Sequence, residues 1–294
     1  MDFKVTPHIL PPTNVHVLIG RNGVGKSHLL NGITRTLMNA EGEHGTLTYS
    51  DQNDVEEPAT QRFVNLVSVS FSAFDEFEPV NTGRDDLTYA HVGLRRPGAQ
   101  HAMTADELAD EFAEYAHACL VGSERCSALF RRALATLETD PIFQDANVTV
   151  LSTIADNPRE VGGLFRRLSS GHKIVLLTIT KLVQLVTERS LVLIDEPEAH
   201  LHPPLLSALV RALSDLLTER NGVTIIATHS PVVLQEVPRE AVWAIRRFGL
   251  HRTADRPDLE TFGENIGVLT REIFGWRSQS PASTAPLKKP SQKI

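Results

Sequence analysis

Apolar residues in this chain fall into short continuous runs and into stripes of helical spacing, separated by polar turns. Residues 15–19 (VHVLI) form an apolar run that ends at a glycine-rich turn and read as a buried strand. In 26–38, Leu29, Leu30, Ile33 and Leu37 share one helical face. Residues 41–60 are polar and turn-rich, with only 46–49 suggesting a strand, whereas 63–71 (FVNLVSVSF) read as another strand. The stretch 73–100, rich in Gly, Pro, Asp and Arg, reads as a loop. Thr104 and Glu107 fit a capping box, and helical character continues to about Leu137, where Asp140-Pro141 is a stop.

The second half alternates more tightly. Residues 174–186 read as an apolar helix and 191–194 as a fully apolar strand. A leucine stripe from Leu205 to Leu217 follows Pro203-Pro204, and strands are expected at 223–227 and 241–245. Strands alternating with helices predict an α/β fold, a mostly parallel sheet covered on both faces. The expected organisation is one domain over 1–276, with a helical insertion at about 101–160, and a Ser/Pro/Lys-rich disordered tail over 277–294.

Composition narrows the classes. With 294 residues and 41% hydrophobic content, a packed core is expected, and a net charge of -7 argues against a generally basic nucleic-acid-coating protein. Cys119 and Cys126 are seven residues apart, which places them on the same side of one helix as ordinary buried thiols. The first twelve residues lack the pattern of a secretory signal, and no apolar run reaches the ~20 residues of a membrane span, so a cytoplasmic protein without membrane contact is expected.

The chemistry is concentrated in four segments. Gly20-Arg21-Asn22-Gly23-Val24-Gly25-Lys26-Ser27, followed by His28, matches the phosphate-loop pattern GxxxxGK[ST] between a strand and an amphipathic helix. Such a loop turns backbone N–H groups inward onto phosphate oxygens, and the helix that follows presents its positive end. Lys26 would meet the β- and γ-phosphates, and the Ser27 hydroxyl would be a ligand of Mg2+. The apolar strand 191–194 runs into Asp195 and Glu196; the first carboxylate suits the metal shell, and the second suits a general base on the attacking water. Leu168-Ser169-Ser170-Gly171-His172-Lys173 comes just before the apolar helix, where small residues and a hydroxyl can meet a phosphate. His229 follows the strand 223–227.

These motifs, in this order, resemble those of ABC-type ATPases. Residues 168–173 resemble the LSGGQ signature, with Ser170 and His172 as departures, and His229 looks like the switch histidine of that family. The segment Pro197-Glu-Ala-His-Leu-His-Pro203 resembles the soluble RecF-, SMC- and OLD-like branch (the AAA_21/AAA_15-like ATPases). Residues 67–74, 89–96 and 261–274 resemble the small ATPases of bacterial anti-phage systems such as Septu.

The resemblance implies a P-loop NTPase fold with an ABC-type head, binding and hydrolysis of Mg-ATP, and head-to-tail pairing of two copies. Ser169, Ser170 and Gly171 of one copy would complete the ATP site of the other, and Lys26, Glu196 and His229 would be catalytic. It further implies an ATP-driven switch for an effector, an HNH-type nuclease partner acting on DNA in defence or DNA processing. Three departures stand out. No glutamine follows Phe71 to fill the Q-loop, with Ser72 or Asp75 the nearest substitutes; no long heptad run is present; and the chain passes quickly from 261–274 into its low-complexity tail. The arginine pairs Arg95-Arg96, Arg131-Arg132, Arg166-Arg167 and Arg246-Arg247 are candidates for phosphate contact or for solvated surface. A transporter nucleotide-binding subunit and a non-hydrolysing assembly module are the competing readings.

Overall fold

The computed structural model describes residues 1–6, 9–38, 46–50, 56–70, 84, 86–94, 101, 103–154, 156–249 and 251–275. The Q-loop substitutes Ser72 and Asp75, the pair Arg95-Arg96 and the tail 277–294 lie outside them.

In chain order the elements are β1 (Val15–Ile19), α1 (Lys26–Leu37), the short hairpin β2 (Thr48–Ser50) and β3 (Glu56–Pro58), β4 (Asn65–Ser70) and β5 (Thr88–Gly93). The helices α2 (Ala105–Val121), α3 (Glu124–Leu137), α4 (Pro141–Ala146), α5 (Leu151–Ile154), α6 (Pro158–Arg167) and α7 (Ser170–Leu185) follow. The chain then runs through β6 (Ser190–Asp195), α8 (Pro203–Glu219), β7 (Val223–Thr228), α9 (Pro231–Leu234), β8 (Val242–Phe248), β9 (His251–Asp255) and α10 (Ile266–Phe274).

Seven strands form one sheet in the order β5-β4-β6-β7-β1-β8-β9. Every neighbouring pair is parallel except the antiparallel β8–β9 edge. Period-two alternation divides the side chains between two cores. Leu18, Leu66, Leu191, Leu193, Ile225 and Ala227 face Leu30, Ile33 and Leu37 of α1. Val17, Ile19, Val67, Val69, Val192, Ile194 and Ile226 face the other way, onto α7 and α8. The phosphate-loop helix and the helix that follows Ser169 therefore lie on opposite faces of the sheet.

The helices between β5 and α7 pack on α7 and α8 and share one core with the sheet. Phe112 of α2 stacks on Phe165 of α6 with ring centroids 4.6 Å apart, both fully buried. Thr104 caps α2 through the expected box with Glu107. Two expectations need correction. Gly122 and Ser123 interrupt the helix, so Cys119 sits on α2 and Cys126 on α3, buried together against Thr180 and Val183 of α7 rather than on one helix. The stretch read as loop contains β5, whose alternation is hidden because Tyr89, Ala90 and His91 are only half-buried at the sheet edge.

Candidate functional site

The parallel register brings the chemistry to one edge of the sheet. Ile19 pairs with Thr228, Asp195 with Ala227, and Ser70 with Asp195, so β1, β7, β6 and β4 end side by side. Ligands of open parallel sheets bind beyond these carboxyl ends. Because β7 lies between β1 and β6, residues that follow β7 stand between the phosphate loop and the acidic strand end.

Gly23 and Gly25 hold φ of +78° and +99°, the left-handed turn that lets the loop curl before α1 starts at Lys26. A side chain on Gly25 would also strike the guanidinium of Arg252, at 2.8–3.2 Å. Lys26 is buried, and its ammonium donates to the carbonyls of Gly20 at 3.1 Å and Arg21 at 3.4 Å. Ser27 and His28 are exposed on the first turn of α1, Asn22 is exposed on the loop, and Val24 is buried in the core beneath it. The Arg21 side chain turns away and donates to the carbonyl of Phe274 at the end of α10, 2.9 Å away. Arg247 reaches the Gly23 carbonyl at 3.5 Å, so the β8–β9 edge braces the loop from outside.

Asp195 ends β6 half-buried, and Glu196 turns out of the strand with φ +43° and ψ +58°, an uncommon conformation for a side chain this large. Its N–H donates to Ala227 at 2.8 Å. The turn brings Glu196 Oε1 to 3.6 Å from Lys26 Nζ and 3.8 Å from His229 Nδ1. Lys26, Glu196 and His229, expected together from sequence, do converge.

Sequence reading assigned no role to Glu198, although it lies in the quoted segment after Glu196. Its largely buried Oε1 accepts from Thr228 Oγ1 at 2.7 Å and from the His229 N–H at 2.6 Å, and lies 2.9 Å from His229 Nδ1. It joins the turn after β6 to the end of β7.

Among the described residues, Ser169, Ser170 and Gly171 make no contact with this cluster. Ser169 occupies the N-cap position of α7, yet its hydroxyl makes no cap bond and instead lies 2.6 Å from His172 Nδ1. Ser170 is exposed. Gly171 has to be glycine because a Cβ there would stand 2.7 Å from the His200 carbonyl. His172 is part of the core, and its Nε2 is 3.0 Å from Asp140 Oδ1.

On β1, burial pushes the His16 imidazole down to about 4, helped by the Arg256 charge and opposed by a backbone hydrogen bond with Ala241. Several candidate arginines are committed internally: Arg132 to Glu219 at 2.8 Å, Arg166 to Asp106 at 3.0 Å, and Arg246 to Asp255 at 3.6 Å. Among the described residues no helix is long and apolar enough to cross a membrane.

The chain is 43% identical to protein ea59 of Escherichia phage lambda over 300 aligned residues, covering 93% of this chain and 56% of that protein. It thus spans little more than half the length of this relative. Among solved structures, it resembles an ATP-binding cassette of an ABC transporter in its ADP conformation, with a TM-score of 0.39, 15% identity, and coverage of 76% of this chain and 73% of the other. It also resembles a nucleotide-free ATP-binding cassette from an ABC transporter, with a TM-score of 0.34, 19% identity, and coverage of 76% and 74%. Residues 126–235 match the family described as "AAA domain, putative AbiEii toxin, Type IV TA system". That match takes in Asp195, Glu196 and His229, while the phosphate-loop pattern at 20–27 lies outside it, between β1 of the parallel sheet and α1.

Proposed function

We propose that this protein binds Mg-ATP at the phosphate loop and hydrolyses it between two head-to-tail copies of the chain. The observation that carries the reading is the convergence of Lys26, Glu196 and His229 beyond the ends of β1, β6 and β7. Lys26 is held by carbonyls and a carboxylate, partners that phosphate oxygens can replace. The Gly20–Ser27 amides cradle the phosphates, with the α1 N-terminus adding its dipole.

The donor set suits magnesium. Ser27 offers a hydroxyl at an exposed first turn and Asp195 a carboxylate at the neighbouring strand end, both hard oxygen ligands. These two residues would hold the ion, which when bound would offset the charge of the phosphate oxygens. Glu196 takes the proton from the attacking water, and its left-handed turn aims the carboxylate at the loop. His229, anchored by Glu198, donates to the γ-phosphate. Ser169–Gly171 come from the second copy; α1 and α7 lying on opposite sheet faces supports this arrangement in trans.

ATP then closes the pair and hydrolysis releases it, a two-state switch. The effector it controls is a nuclease in anti-phage defence or DNA processing, by the resemblance of 67–74 and 261–274 to defence ATPases. Turnover of the wild type and Glu196→Gln tests the assignment. Hydrolysis is expected to fall by roughly 10²–10⁴-fold with ATP retained. Equal rates would remove Glu196 as the base, and equal ATP retention by Lys26→Ala would sink the whole site.

A further inference from the structure

A buried polar chain stands behind Ser169. His172 Nδ1 lies 2.6 Å from Ser169 Oγ, and His172 Nε2 lies 3.0 Å from Asp140 Oδ1. His172 and Asp140 are each 1% exposed, whereas Ser169 faces solvent. Asp140 Oδ1 also caps α4, accepting from the N–H groups of Ile142 at 3.0 Å and Phe143 at 3.3 Å. Its other oxygen, Oδ2, is buried without a hydrogen bond. The Phe143 ring edge closes the remaining side of the imidazole, with centroids 4.7 Å apart.

Among the described residues, the other titratable group against this pair is His202, from the turn before α8, whose ring centroid is 5.4 Å from that of His172. His202 Nδ1 accepts the Leu205 N–H at 3.4 Å, so a neutral His202 carries its proton on Nε2, 3.8 Å from Asp140 Oδ2. A metal ion between these residues would need a lone pair where that proton sits.

Two proton arrangements follow. With a neutral His172, Nε2–H donates to Asp140, and Nδ1 accepts the Ser169 hydroxyl proton. Ser169 then turns only lone pairs outward, and these repel an incoming phosphate. With a cationic His172, Nδ1–H donates to Ser169 Oγ, and the hydroxyl hydrogen is free to donate outward. The buried Asp140 carboxylate, with one oxygen unsatisfied, is the charge that makes a buried imidazolium tolerable.

We propose that Asp140 and His172 are positioning residues that set whether Ser169 donates or accepts, making its grip on the partner copy's γ-phosphate depend on one proton per site. This rests on the ATP-sandwich reading above.

The test uses the full chain carrying Glu196→Gln to block turnover, with Mg-ATP as the probe. Self-association is measured by sedimentation from about pH 6 to about pH 8. Adding Asp140→Asn keeps an N-cap oxygen but removes the charge, and adding His172→Gln removes the imidazole ring. The expected result is that the parent's pairing weakens with rising pH by up to about tenfold per pH unit per site more than that of either variant. Equal slopes in all three proteins, with pairing intact, overturn the relay and leave the ATP reading standing. No ATP-dependent pairing at any pH overturns both. Imidazole ¹⁵N shifts in the wild-type chain give a readout independent of variant folding: a His172 that keeps one protonation state across this range overturns the relay.

Discussion

The Glu198 carboxylate holds His229 at two points, accepting its backbone N–H at 2.6 Å and standing 2.9 Å from its Nδ1. A second hydrogen bond, from Thr228 Oγ1 at 2.7 Å, ties the same oxygen to the end of β7. An imidazole at a strand end is otherwise free to rotate about two bonds. The contact with Glu198 narrows that freedom, and the ring stands 3.8 Å from Glu196.

Glu198→Ala should therefore damage turnover without touching the phosphate loop. Loss of ring placement is expected to lower kcat by about 100-fold, while ATP affinity changes little. Steady-state kinetics beside equilibrium nucleotide binding separate the two; an unchanged kcat would show that His229 does not need this anchor.

Gly25→Ala tests the loop geometry. A φ of +99° is strained for alanine, and the added Cβ meets Arg252. Destabilisation of at least about 1 kcal/mol and loss of ATP retention are expected. Arg252→Ala in the same chain relieves the contact but not the dihedral, so the double variant should remain destabilised in urea melts.

His16 makes stability depend on pH. The free imidazole takes up its proton near 6.5, but in the folded chain only near about 4. Between these values the unfolded state binds more protons, so the fold loses stability as pH falls. The loss from this group is on the order of 3 kcal/mol. Urea unfolding at about pH 7.5 and about pH 4.5, for wild type and His16→Val, should show the variant losing less by this amount. Matching losses would mean that His16 is protonated at ordinary acidity.

The two thiols should be silent in the native state. Cys119 and Cys126 are buried between α2, α3 and α7, and burial pushes the Cys119 thiol up to about 12, which keeps it from forming thiolate. A thiol reagent at neutral pH is expected to label neither until denaturant is added. Rapid labelling of the native protein would contradict this packing.

The sequence by itself determined the elements whose signals are local. The apolar runs that became β1, β6 and β7 lie buried on both faces, so each is continuous and easily seen. The phosphate loop is legible because its glycines, lysine and serine act through backbone geometry within eight residues. Edge strands carry weaker patterns, since one side meets solvent, and β5 passed as loop for that reason. Only the tertiary structure could decide what depends on strand order and on facing elements. Placing β7 between β1 and β6 set His229 beside Glu196, and the left-handed turn at Glu196 brought Glu198 under the histidine. Packing α4 against the start of α7 set Asp140 against His172, 32 residues away along the chain. A hydrogen bond between distant segments has no periodicity to announce it; it exists only once the core has closed and removed water from both partners.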